Sequence, residues 1–582
     1  MRALFAALTA LALLAALGGC APGSQSADAR LQMLYAREWQ WRMQQLPDNE
    51  DGTRPIADHL PKVDAAAQEL RLRYWQDVLQ RVNAIPRARL SAPEQVNYDI
   101  YKQQLAGLIA DQRFRDFEMP ANSDTTFWTD IGYTARRPFR TLTDYQHWLA
   151  QMRDIPRYFH EQMDEMRAGM RRGFTPPRIT MEGRDASITA VTAATPEASL
   201  FYTPFRDMPF VPPARQAALR QQAVTTIREV VQPAYIELLN FMRTEYVPGT
   251  RTTIAAADLP DGRNYYRAKI QEFTTLDMEP QAIHQLGLAE VQQLHGAMLD
   301  AMHETGFSGD FAAFLKFLRS DPRFYARTPE ELLMRAAWIA KRFDGKAAQY
   351  FGYLPRARFA IKPVPDDLAP FYTAGRGGFG VYLLNTYDLP SRPLYNLTAL
   401  TLHESAPGHA FQIPIAMEHK DQPGFRQLTY ISAYGEGWAL YCERLGLEMG
   451  MYDTPYDRFG MLGYQIWRAA RLVVDTGIHS QGWTRQQAID YLRQYTALPE
   501  REIGTEVDRY IAWPGQALSY YLGERALLEA RARAQQALGE RFNIRAFHDT
   551  VLELGSVPLP VLTARVQRFI EEGGRGPYPD ME

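Results

Sequence analysis

Cysteine is almost missing from this sequence, with only Cys20 and Cys442 among 582 residues. That excludes a disulfide framework, so the folded chain has to hold itself together by core packing. An excess of one charge is missing as well: 64 Lys and Arg against 67 Asp and Glu leave a net charge of −3. With no long basic run, the electrostatic footprint of a nucleic-acid binder is absent, and no such partner is expected. The N-terminal apolar run, Ala3 to Leu17, is shorter than a comfortable membrane span. Neither an internal repeat nor a low-complexity tract is present. What the chain does have is a 46% hydrophobic composition, enough for a large buried core and for more than one lobe.

The apolar run lies behind one arginine and ahead of small residues and Cys20, the arrangement of an export signal. Leu17-Gly18-Gly19-Cys20 resembles a bacterial lipobox, in which the cysteine is acylated and becomes the new N-terminus. An ordinary cleaved signal peptide or a membrane anchor is the alternative. The expected organisation is a signal peptide over 1–19, a lipidated N-terminus and tether over 20–30, and a helical domain over 31–582. That domain is divisible into lobes 31–260 and 261–582, with the active site in the second. Its expected location is the bacterial cell envelope, anchored by lipid at the outer membrane and facing the periplasm.

Apolar residues recur at three- and four-residue spacing over 65–82, 93–112, 143–169, 214–246, 280–305, 312–319, 329–350 and most of the chain after Asn396. The fold class is therefore mainly α. Pro and Gly mark loops at 175–177, 248–260 and 354–370. One segment departs from the helical habit: Gly375-Arg-Gly-Gly-Phe-Gly380 leads into a β-type run, Val381 to Asn385. Phosphate-binding glycine loops follow a strand and open a helix, whereas this one precedes a strand, so nucleotide binding is not indicated. A strand edge there suits pairing with an extended peptide, which makes Gly378 and Tyr382 candidate substrate contacts.

The chemistry concentrates in Leu402-His403-Glu404-Ser405-Ala406-Pro407-Gly408-His409. Zinc peptidases place two histidines four residues apart on one helix face, with a glutamate beside the first. Here the fourth position is Pro407, and His409 comes at i+6, which on a regular helix points roughly 120° away from His403. Pro407 cannot continue the helix and Gly408 permits a tight redirection, so the break and the long spacing explain each other. The alternative is an ordinary helix end followed by a turn. A third ligand is available in Tyr434-Gly-Glu-Gly-Trp438, where Glu436 is preferred. Glu443, two turns on, is the alternative ligand or a support for one. Asp475 and His479 stand four apart, so the carboxylate could hold the imidazole as a charged or oriented donor, with Asp475 a second support or alternative ligand, and an ordinary exposed pair is the alternative. The segment from Tyr510 to Tyr521 adds phenols, with Tyr510 and Tyr520 as candidate site residues and Tyr521 expected to pack.

LHESAPGHAFQ, EGWALYCERLG, RLVVDTGIH and YIAWPGQALSYYLG, with LPDGRNYYRAKIQEFTT and IHQLGLAEVQQL upstream, resemble the bacterial family known as domain of unknown function 885. The resemblance runs in motif order from about Asp64 to Phe569. It implies a large helical, zincin-like metallopeptidase fold with a deep cleft and a small β element beside the catalytic helix. It further implies His403, His409 and Glu436 as ligands of one zinc ion, Glu404 as general base, and Tyr520 as the donor that steadies the oxyanion, with His479 ranked second. Ala410 stands where many relatives carry a further histidine, which leaves His409 as the second histidine of the motif. The expected function is hydrolysis of short peptides, of carboxypeptidase or oligopeptidase type. A zinc amidase acting on non-peptide amides and a catalytically silent, lipid-anchored binding protein are the rivals.

Overall fold

Side-chain caps start the long helices where the apolar periodicity starts. Asp64 accepts from the Ala67 N–H ahead of Ala65–Asn83, and reciprocal capping boxes at Thr141/Asp144 and Thr454/Asp457 open Leu142–Arg172 and Pro455–Gln481. The computed structural model describes residues 26–46, 54–122, 125–366, 368–427 and 429–579. The export signal, Cys20 and the start of the tether lie outside the described residues. The fold is mainly helical with one small sheet, and no described helix is long and apolar enough to cross a membrane.

The buried apolar residues fall into two cores. The smaller gathers Phe127, Trp148, Phe159, Phe201 and Tyr235, with Ile56, Leu60 and Val63 strapped across it. The larger takes the helices that follow residue 255 and also Leu31, Trp75 and Tyr101 from the three N-terminal helices Ala27–Gln45, Ala65–Asn83 and Ala92–Phe114. The division between cores therefore does not fall at residue 260. The described chain starts in the large core, touches the small one with Ile56 to Val63, returns for two helices, supplies most of the small core between about residues 120 and 250, and ends in the large one.

Strands β1 (Ala360–Pro363), β2 (Gly375–Gly378) and β3 (Val381–Leu384) form a sheet ordered β1-β3-β2, with β3 parallel to β1 and antiparallel to β2. Because β3 is central, Tyr382 is fully buried, which corrects its expected role as a substrate contact. The outer edge belongs to β2, since the glycine-rich segment itself pairs as a strand. Ala374 accepts from Asn385 across the hairpin, so Gly378, two pairs further and turned inward, faces β3. The expectation for Gly378 is thereby corrected, and the N–H of its neighbour Gly377, which does point outward, donates to Glu404.

Five helices build the site: α1 (Leu394–Glu404), α2 (His409–Glu418), α3 (Ser432–Glu448), α4 (Pro455–Gln481) and α5 (Ser519–Leu538). Every residue of α4 from Gly463 to His479 is buried, as befits a helix packed on all sides, chiefly against Pro280–Glu304 and α1. Helices α3 and α5 touch main chain to main chain. A Cβ on Gly437 would fall 2.4 Å from the Gly523 carbonyl carbon, and one on Gly523 would fall 1.9 Å from the Ala433 carbonyl oxygen. That contact brings Tyr520, one turn before Gly523, toward Glu436.

Candidate metal centre

His403 occupies the last turn of α1. The backbone leaves helical geometry at Ser405 (φ −97°, ψ −117°) and re-enters it at His409 after Gly408 (φ −73°, ψ −135°). A Cβ on Gly408 would stand 1.8 Å from the His403 carbonyl oxygen, so the return can be this tight only with glycine there. Trp438 Nε1 on α3 donates to the Pro407 carbonyl at 2.8 Å and ties the break to the third helix. The six-residue spacing consequently brings the two imidazoles together. Their ring centroids are 5.0 Å apart and their planes nearly perpendicular, at 86°.

Both Nε2 atoms face one carboxylate oxygen, Glu436 Oε2, at 3.5 Å from His403 and 3.4 Å from His409. These distances are long for a charge-assisted hydrogen bond. They do match the separation of about 3.3–3.4 Å between donors that each sit about 2.0–2.1 Å from a tetrahedral ion. One donor atom from each of the three residues lies within 4.8 Å of the other two. Two imidazoles and a carboxylate, with both histidines buried, are thus a donor set that fits zinc. The charges agree. Burial pushes the Glu436 carboxyl up, but His409 and His403 outweigh it and hold it well below the usual carboxylate range. Burial opposes charge on His403, yet the carboxylates of Glu436 and Glu443 lift its pKa to about 10.

Glu443 stands on the other side of the same ring. It is completely buried, and its Oε1 lies 2.7 Å from His403 Nδ1, fixing the ring with Nε2 toward Glu436. Geometry therefore gives the two carboxylates of α3 different places, Glu436 among the converging Nε2 atoms and Glu443 behind them. Glu404 ends α1, and its Oε2 accepts from the Gly377 N–H of β2 at 2.6 Å. The strand edge and the carboxylate next to His403 are in direct contact.

Tyr430 is a site residue that sequence reasoning missed. It is half exposed, its hydroxyl donates to Glu436 Oε1 at 3.0 Å, and its ring closes over Gly435. Tyr520 and Glu404 both lie within electrostatic range of its phenol. The glycine before Glu436 was the available signal, but nothing in the sequence says which ring fills the space. Tyr520 is partly exposed, whereas Tyr521 packs inward and donates to Glu290 at 2.8 Å.

Three expectations need correction. His479 is fully buried and both its ring nitrogens are engaged by main chain: Nδ1 accepts from the Ala256 N–H at 3.1 Å and Nε2 reaches the Tyr510 carbonyl at 2.8 Å. Burial lowers its pKa to about 3, so it is a neutral structural pin with no proton to offer an oxyanion. Asp475 does not orient it. That carboxylate instead accepts from the Tyr266 hydroxyl at 2.5 Å and the Gly515 N–H at 3.2 Å, and burial raises its pKa to about 7. Tyr510 is likewise buried, its hydroxyl accepting from Trp467 Nε1 at 2.9 Å and Arg471 Nε at 3.0 Å, so it holds other side chains and does not face substrate.

Two solved structures share this fold. A candidate lipoprotein from Colwellia psychrerythraea is 24% identical, with a TM-score of 0.87 over 94% of this chain and 100% of its own. A candidate lipoprotein of unknown function from Shewanella oneidensis is 18% identical, with a TM-score of 0.70 over 93% of this chain and 99% of its own. No curated protein matches the sequence. The model of the family described as bacterial protein of unknown function (DUF885) matches residues 48–566. The chain belongs to that family.

Proposed function

We propose that the protein is a zinc-dependent peptidase of the bacterial cell envelope that hydrolyses short peptides. The observation that carries this reading is the meeting of His403 Nε2, His409 Nε2 and Glu436 Oε2, with Glu404 next to the first histidine and in contact with a strand edge. Three protein donors leave a fourth tetrahedral position for water or substrate. His403, His409 and Glu436 would hold the zinc ion, which would supply a Lewis acid for the scissile carbonyl and a water of lowered pKa.

The chain's own groups account for the rest. Glu404 takes the proton of the attacking water and passes it to the leaving amine. The Gly377 N–H of β2 donates to that carboxylate and orients it, and the strand edge beside it suits an extended peptide backbone. Tyr520 is the first choice of hydroxyl donor to the oxyanion, and Tyr430 replaces His479 as the second. The resemblance of Leu17-Gly18-Gly19-Cys20 to a lipobox, together with the two candidate lipoproteins of the same fold, supports an envelope location with an acyl anchor at Cys20.

The test is metal content of the purified protein measured beside hydrolysis of a mixed peptide and amide library. One zinc per chain with chelator-sensitive peptide cleavage is the expected result. Cleavage confined to non-peptide amides would favour the amidase, and a zinc-loaded protein inert toward both would leave a binding protein. Tyr520→Phe should retain zinc and lose about 10²–10³-fold in kcat, the usual effect of removing one oxyanion donor. Normal turnover there with a crippled Tyr430→Phe would assign the role to Tyr430.

A further inference from the structure

We propose that Arg468 and Arg471 form a pocket for the terminal carboxylate of a peptide, which makes peptides with a free C-terminus the substrates of this centre. The inference rests on the peptidase reading and narrows it to removal of C-terminal residues.

The two arginines are one turn apart on α4 and almost wholly buried. Each guanidinium lies 4.3 Å from the Trp467 ring, and the Tyr520 ring lies against both, at 4.4 Å from Arg471 and 5.9 Å from Arg468. Two cations are therefore held side by side out of water, an arrangement that is costly unless anions answer it. The answering groups fall short. Glu506 accepts from Arg471 Nη2 at 3.1 Å, but Arg471 Nη1 is buried without a hydrogen-bond partner. For Arg468, Nη1 reaches only the Tyr464 carbonyl at 3.5 Å, and Nε is buried without a partner. Its nearest carboxylate, Glu443, is 3.9 Å away and already bound to His403. Glu502 supplies only part of a charge near neutral pH, because burial raises its pKa to about 7.

The location gives the anion its identity. The Tyr520 ring that lies against both guanidinia is within electrostatic range of Tyr430, whose hydroxyl bonds Glu436, and an extended peptide advances about 3.3–3.6 Å per residue. A terminal carboxylate on this pair, beside the partly exposed Tyr520 ring, would leave the preceding peptide bond near the metal donors. A planar guanidinium accepts a carboxylate with two parallel N–H bonds. Hydrolysis of that bond consumes one water, leaves a new carboxylate on the shortened peptide, and releases the last residue with a free amine.

Full-length Glu404→Gln protein loaded with zinc should be titrated by calorimetry with one tripeptide as its free acid and as its C-terminal amide. The free acid is expected to bind about 10–100-fold more tightly, as lost charge-assisted bonds predict. Equal affinities, or binding of neither peptide, overturn the pocket. Arg468→Gln should level the two affinities, and the comparison of ligands on the arginine-intact protein stands even where that variant folds poorly. The unmutated enzyme separates the two readings. Preferential binding of the acid without any cleavage would remove the peptidase and keep the pocket, whereas equal cleavage of acid and amide would do the reverse.

Discussion

Full-length protein carrying His403→Ala or His409→Ala should purify with almost no zinc, where the unmutated protein holds about one ion per chain. Each change removes one of three donors that converge on a single point, and the remaining imidazole and carboxylate make a poor site. Glu436→Gln should behave in the same way. Glu443→Gln should not: its carboxylate meets His403 from behind, at Nδ1, so the ligand survives with a loosened ring, and affinity or activity should fall by about 10–100-fold. Glu404→Gln separates binding from chemistry, keeping the metal while losing about 10²–10⁴-fold in turnover, the range of a general base. Elemental analysis and peptide hydrolysis on these five variants and the unmutated protein read all of this. Full zinc in His409→Ala would show that the second histidine of the motif is not a ligand.

Gly408→Ala should be as damaging as the loss of a ligand, although it removes no donor. The added methyl would stand 1.8 Å from the His403 carbonyl oxygen, far inside contact distance and against main chain that cannot rotate away. Either α1 and α2 separate or the break unwinds, and both outcomes pull His409 from Glu436. We expect destabilisation of more than about 3 kcal/mol, at the upper end for a single change that overpacks a core, and zinc content close to that of His409→Ala. Thermal unfolding with and without added zinc measures both. An unchanged midpoint with full metal would mean that the break is held by Pro407 and Trp438 alone.

Much of the helical frame was legible because caps and periodicity agree. The spacing over 65–82 and 93–112 predicts helices that the structure extends only to Ala65–Asn83 and Ala92–Phe114. The run 329–350 reads as one helix but stops at Asp344, because Gly345 and Lys346 interrupt it before a last short turn. Glycine also hid β2: three of its four residues are glycine, so neither propensity nor alternation announces a strand. The meeting of His403 and His409 was legible through the anomaly of the motif, since Pro407 and Gly408 break the helix between them and take up the longer spacing. The choice between Glu436 and Glu443 was not decidable from spacing, as seven residues return a helix to nearly the same face. What separates them is height along α3 relative to the break. Asp475 and His479 fail for a related reason. Their i,i+4 spacing suggests a pair, but main-chain groups of Gly515, Ala256 and Tyr510 compete successfully for each side chain.

The contact of Gly437 with Gly523 has a bearing on how this protein could be re-engineered. With no side chain between α3 and α5 at this contact, the spacing of the two helices is set by two peptide backbones and is already at its minimum. Rotamer fluctuation cannot narrow it further, and no substitution at either position can adjust it gradually, since even alanine forces the helices apart. Attempts to broaden what the centre accepts would therefore do better to vary Tyr430 and the β2 edge, which can change shape while this spacing stays fixed.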